Sequence, residues 1–205
     1  MPRAQTLTDD LFSAAPADDP RALVEDAQGG IRYWPGFLES GLAADWFEEL
    51  KQTVAWEAQR RPMYDRIVDV PRLVASYRFE DAEVPAPLID AAQRLREHLH
   101  EPFNAVGLNY YRDGNDSVAP HGDKMHMLVE GHPIALVSLG SPRRMTIRDN
   151  ASRKALHVDL APGSLLVMSH ASQLTHEHGI PKTREPVGPR ISLAYRVRPP
   201  RNARG

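Results

Sequence analysis

Residues 105–123, AVGLNYYRDGNDSVAPHGD, pass from strand to turn to a candidate ligand pair within one short stretch. The first seven mix β-branched, aromatic and apolar side chains, as a pleated, half-buried strand does. RDGND then reads as a turn, through Gly, Asn and Asp. His121 and Asp123 follow two residues apart. If the chain is extended there, alternate side chains share a face, and an imidazole and a carboxylate can meet one ion. Downstream the strand-like pattern recurs in PIALVSLG, RRMTIR, ALHVDL, SLLVMS and RISLAYRV, separated by Gly, Pro, Asp and Asn clusters. Several short strands at close spacing in one domain predict a sandwich or barrel.

Upstream the period is helical. Leu42, Trp46, Phe47, Leu50 and Val54 recur on one face, with Asp45, Glu48, Glu49 and Lys51 between them. A second amphipathic helix follows Pro87, with Leu88, Ala91, Leu95 and Leu99 on its apolar side. The fold class is therefore mainly β with flanking helices, α+β, the two helices covering one face of the sheet. Residues 1–30, rich in Ala, Pro and Asp, read as a loosely ordered arm, and residues 199–205 as a basic tail. At 205 residues the chain has room for one domain, over 31–198.

Composition removes several function classes. There is no cysteine, so neither a disulfide framework nor a thiolate metal site is available, and any metal must use His, Asp or Glu. A net charge of −2 provides no global field toward nucleic acid or anionic lipid, so either partner needs a local basic patch. No run of about 18 apolar residues exists to span a membrane. The expectation is a soluble, cytoplasmic monomer with no membrane partner.

HxD alone is a weak signal in a chain with nine histidines. A third ligand is needed, and His178 in THEHGIPKT is the candidate, with His170 and His176 as competitors. Two His and one carboxylate suit iron(II) and leave positions open for other ligands. A second feature is the pair Arg190 and Arg196 in RISLAYR, which with Ser192 and Ala194 face one way by period-two alternation. If that face is buried, the guanidinium groups require anionic partners, and a five-carbon dicarboxylate supplies two. If it is the solvent face of an edge strand, Ile191, Leu193 and Tyr195 point inward instead.

Taken together, YWPGFL, PRLVASY, FNAVGLNYYRDGNDSVAPHGDK, PIALVSLG, GSLLVMS, HEHGIPK and RISLAYR resemble the AlkB family of iron(II) and 2-oxoglutarate-dependent dioxygenases, nearest its nucleic-acid demethylase branch. The resemblance implies a double-stranded β-helix, or jelly-roll, around the metal. It implies iron held by His121, Asp123 and His178, with Pro181 keeping the family's register. It further implies 2-oxoglutarate held by Asn109, Tyr111, Arg190, Ser192 and Arg196, with O2 as oxidant. The implied reaction is oxidative demethylation of N-alkylated bases in DNA or RNA, giving formaldehyde, succinate and CO2. RRPMYDRIVDVPRLVASY matches the family's lid, making Met63, Tyr64, Arg72 and Tyr77 substrate-contact candidates together with Met125. Met125 stands where many relatives have an acidic residue, His176 where a Trp is common, Ala194 where a Thr is, and Ser76 where a Trp is typical. Two other readings share these residues: the same oxygenase chemistry on a modified transfer RNA or a protein, and a non-catalytic nucleic-acid-binding jelly-roll module.

Overall fold

The computed structural model describes residues 19–63 and 66–201, and side chains other than those of 61–69. Met63 and Tyr64, proposed above as substrate contacts, lie outside the described side chains. In chain order the elements are β1 (Arg21–Val24), β2 (Ile31–Trp34), α1 (Ser40–Thr53), β3 (Glu57–Met63), β4 (Arg66–Arg78) and α2 (Ala86–Leu99). They continue with β5 (Ala105–Tyr111), β6 (Val118–His121), β7 (Ile134–Gly140), β8 (Arg143–Asp149), β9 (Ala155–Leu160), β10 (Leu165–Met168), a short α3 (Ser172–Thr175), β11 (His176–Ile180) and β12 (Arg190–Arg196).

The strands form two sheets, eight in the order β1-β2-β10-β7-β12-β5-β4-β3 and four in the order β6-β11-β8-β9. Period-two alternation gives the large sheet two apolar faces. Leu108, Val137, Ile191, Leu193 and Tyr195 join Trp46, Phe47, Leu50, Leu88 and Leu95 of α1 and α2 in one core. Ile31, Tyr33, Tyr111, Leu136 and Leu166 face Met145, Ile147 and Val158 of the small sheet in a second core. With both faces covered, β7 and β12 are buried almost throughout. That disposes of the solvent-face reading of β12, since Arg190 is only 1% exposed. Gly140 ends β7 at φ 80, where the aromatic ring of Phe47 and the Pro189 carbonyl leave no room for a Cβ.

The folded part begins earlier than residue 31. Arg21 and Ala22 pair with Tyr33 and Arg32, and Asp26 binds the Gln28 and Gly30 amides and the Ser169 hydroxyl. The arm carries too few apolar residues for periodicity to reveal this strand; its partners are backbone groups of β2. At the other end Arg201 pairs with Asp81 and Glu80, so the basic tail is held to the α2 side as far as that residue.

Candidate metal centre and cleft

β6 and β11 lie side by side in the small sheet, with His121 directly opposite His178. Their rings are 4.6 Å apart between centroids, and the candidate ligand atoms of His121, Asp123 and His178 lie within 4.8 Å of one another. Asp123 sits just past the end of β6, with its carboxylate on the same side as the two histidine rings. The close approach of the two strands needs Gly179: a Cβ there would sit 2.8 Å from the Val118 carbonyl and 2.9 Å from the Pro120 nitrogen. Both are backbone and cannot swing away. Gly179→Ala is accordingly expected to push β6 off β11 and to weaken divalent-metal binding by about tenfold or more, with far-UV circular dichroism unchanged; anaerobic metal titration reads the effect.

Two of the three candidate ligands are oriented by a neighbour. The Nδ1 of His121 lies 2.9 Å from the Ala119 carbonyl, which can only accept, so this nitrogen carries the proton and Nε2 keeps its lone pair for a metal. Asp123 receives the Nε–H of Arg196 at 2.5 Å, and its own amide donates to the Gln173 Oε1 at 3.1 Å. Burial pushes the Asp123 carboxyl up, but Arg196 and the two histidines outweigh it and hold the group below the usual carboxylate range. His178 is driven from the usual 6.5 to about 3 by burial, with the charge of His121 adding to the effect and Asp123 opposing it. It is therefore neutral at physiological pH, as a metal ligand must be.

That depression has a stability consequence. Between about 3 and 6.5 the unfolded chain binds a proton that folded His178 refuses, so the stability associated with this group is present above that window and lost as pH falls through it. In metal-free protein the urea midpoint is expected to fall from pH 7.5 to 5, and His178→Leu to flatten that slope.

His176 and His170 do not compete for the metal. His176 Nε2 lies 3.7 Å from Asp149, and neither histidine belongs to the converging group.

The proposed co-substrate residues share one face of the large sheet. Across β5 and β12, Tyr111 pairs with Arg190 and Asn109 with Ser192, while Ser192 also faces Ser138 on β7. Arg190 is wholly buried. Its Nη2 donates to the Ser138 hydroxyl at 2.9 Å and its charge lies against the Tyr111 hydroxyl, while its Nε and Nη1 find no acceptor of hydrogen-bond geometry among the described residues. Its guanidinium lies 5.3 Å from the centroid of the Tyr111 ring, and burial lowers its pKa to about 10, with Tyr111 opposing the shift and Arg143 adding repulsion. A buried cation with two donor nitrogens unused is a poor structural element and a good anion site.

A cleft of about 670 Å³ opens beside the ligands and reaches His121, Asp123, Asn109 and Arg196. Arg190, Tyr111 and Ser192 do not line it and lie deeper along the same face. Arg72 does line it and donates to the Asn109 Oδ1 at 2.6 Å. Tyr77 does not: it pairs with Val106, and its ring packs against the helix-covered core. On a continuous strand Arg72 and Tyr77 have opposite parity, so they cannot share a face. Met125 is likewise absent from the lining, where Met127 and Leu128 of the following turn stand.

Several residues at the site were not anticipated. Arg143 is buried and donates to the carbonyls of Asp113, Asp116 and Pro181, fastening the β5–β6 turn and the exit of β11 to β8. Gln173 anchors the ligand turn, and Arg198 extends the arginine side of β12 into the cleft. The signal for Arg198 was there, as the next step of the 190, 192, 194, 196 alternation.

A family model described as the 2OG-Fe(II) oxygenase superfamily matches residues 30–196. The DNA oxidative demethylase ALKBH2 of Homo sapiens is 31% identical over 173 residues, covering 73% of this chain and 66% of that protein. The alpha-ketoglutarate-dependent dioxygenase alkB homolog 3 of Mus musculus is 29% identical over 189 residues, covering 80% of this chain and 64% of that protein. The chain thus spans slightly less than two thirds of the length of each. The solved structure of OsALKBH1 superposes with a TM-score of 0.58 at 18% identity, over 82% of this chain and 97% of that one, and so shares its fold. With the matched region containing all three converging side chains and both arginines of β12, the chain belongs to the 2OG-Fe(II) oxygenase superfamily, within its AlkB family.

Proposed function

We propose that this protein is an Fe(II)- and 2-oxoglutarate-dependent dioxygenase that removes N-linked methyl groups from bases of DNA or RNA. The observation that carries the reading is a neutral His, a second His and a carboxylate converging beside a buried arginine with unused donors. Iron would be held by His121, Asp123 and His178. Once bound, iron and 2-oxoglutarate supply the oxidising power of O2, coupling decarboxylation to succinate and CO2 with hydroxylation of a methyl carbon, which then leaves as formaldehyde.

The chain's own part is to bind and to orient. Arg196 is already committed to Asp123, so we assign the remote carboxylate of 2-oxoglutarate to Arg190, with Ser192, Asn109 and Tyr111 on the same face around the diacid. The two-sheet sandwich is read as a double-stranded β-helix with α1 and α2 backing the large sheet. A methylated base stacked in a duplex cannot reach a ligand set at the bottom of a cleft, so the base enters flipped out or from a single strand. The cleft volume suits one such base. The intact ligand set weighs against a non-catalytic module. Methylated oligonucleotides incubated with Fe(II), 2-oxoglutarate and O2 are expected to yield formaldehyde and succinate together. Succinate without formaldehyde from any oligonucleotide would move the chemistry to another substrate.

A further inference from the structure

The carboxylate of the candidate metal centre stands just beyond the last pair of its strand. The β6–β11 ladder joins His121 to His178. One antiparallel step further would set Asp123 opposite His176, but β6 ends at His121, and His176 pairs across its other edge with Asp149 of β8. A backbone group past the end of a ladder needs a partner from outside it. The Asp123 N–H finds one in a side chain, donating to the Gln173 Oε1 at 3.1 Å. A backbone N–H can only donate, so the Gln173 amide presents its oxygen here.

Gln173 is set in a braced segment. It is only 6% exposed, and it lies in α3, which runs directly into β11 and so into His178. The start of α3 is closed on Ser169, whose hydroxyl accepts the Ser172 N–H at 2.9 Å and whose carbonyl accepts the Ser172 hydroxyl at 2.7 Å. The turn between β1 and β2 clasps the same segment. Asp26 accepts the Ser169 hydroxyl, the Gly30 carbonyl accepts the Ser169 N–H at 2.8 Å, and the Gln28 Oε1 accepts the Ala171 N–H at 2.8 Å. The ligand turn also rests on α3 directly, since a Cβ on Gly122 would lie 2.9 Å from the Gln173 carbonyl.

Asp123 is therefore held at two points, its backbone by Gln173 and its Oδ2 by the Arg196 Nε–H, which leaves Oδ1 for an ion. Arg196 is a long side chain that can follow a displaced carboxylate. The hydrogen bond to Gln173 instead ties the turn to the segment that leads into His178. We propose that Gln173 is a positioning residue of the metal centre, which through the Asp123 amide sets the carboxylate against His178 and so sets the affinity for the ion. This rests on the assignment of His121, Asp123 and His178 as ligands.

The test is calorimetric titration with Mn(II) of wild type, Gln173→Leu, Gln173→Asn and Gln173→Glu, with His121→Ala to mark binding at this site. Leucine offers no acceptor, asparagine withdraws it by one methylene, and glutamate keeps an acceptor in reach. Gln173→Leu and Gln173→Asn are expected to raise the Kd by about tenfold or more, and Gln173→Glu to stay within about threefold of wild type or to bind more tightly. Melts of the metal-free proteins are recorded alongside; if Gln173→Leu does not fold, the contrast between Gln173→Asn and Gln173→Glu decides. An equal Kd throughout, even with lowered melts, makes Gln173 a structural residue and overturns the proposal. Wild-type affinity in Gln173→Leu and Gln173→Asn with tighter binding in Gln173→Glu alone also overturns it, because that pattern reports charge and not the amide hydrogen bond. Both results leave the ligand assignment standing. An unchanged Kd in His121→Ala, or no Mn(II) binding by wild type, removes the assignment itself and the proposal with it.

Discussion

Arg190→Met is expected to do two opposite things: to raise the KM for 2-oxoglutarate by about two orders of magnitude, and to leave the diacid-free protein as stable as wild type or more so. The first follows from removing one member of a buried, charge-assisted pair, a loss of about 2–5 kcal/mol. The second follows from the present state of the side chain, a fully buried cation with Nε and Nη1 unpartnered and one hydroxyl on Nη2. Exchanging such a group for an apolar one of similar length is commonly neutral or stabilising by about 1–4 kcal/mol. A residue that merely held the sheets together would lose stability and binding together. Thermal melts without diacid and KM measurements on the metal-loaded protein separate the two roles; unchanged KM would place the carboxylate elsewhere.

His121→Ala is expected to abolish turnover, by at least about three orders of magnitude, because an open three-ligand site has none to spare. Asp123→Ala removes the same activity but is a less clean test. It strands Arg196, whose side chain is 16% exposed against 12% for Asp123, and breaking so buried a pair costs about 3 kcal/mol or more. Among the described residues the one hydrogen bond of the His121 side chain is to the Ala119 carbonyl, and His121 sits at a strand end, so its removal should leave the melt nearly unchanged. Metal titration together with the melt distinguishes a lost ligand from a lost fold. Full activity in His121→Ala would refute the ligand assignment.

The contrast between what could and could not be read from the chain is physical. The strands of the second half were legible because they are apolar runs bounded by turn residues, and both helices because their apolar stripes repeat at helical spacing. β11 was not among the strand-like runs: HEHGI offers no apolar alternation, and it is a strand because β6 and β8 flank it with hydrogen-bonding edges. The convergence of His121, Asp123 and His178 was legible once the HxD pair was joined to ordered motifs elsewhere in the chain.

Substrate contacts fared differently. Tyr77 was placed by its match to the family's lid, while parity along β4 sets it on the far face from Arg72. Met125 was placed by its match to a position where many relatives have an acidic residue, but the chain turns in a 3-10 helix there and Met127 and Leu128 line the cleft. Orientation on a face follows from alternation only while the strand remains regular.

The central claim is that His121, Asp123 and His178 share one ion next to a diacid seated on Arg190. A crystal structure of the protein loaded under anaerobic conditions with Fe(II) and 2-oxoglutarate tests it directly. The predicted result is one metal touched by all three side chains, with the far carboxylate of 2-oxoglutarate hydrogen-bonded to the Nε and Nη1 of Arg190. A metal bound by other residues, or a diacid whose far end contacts solvent while Arg190 stays unpartnered, would contradict it.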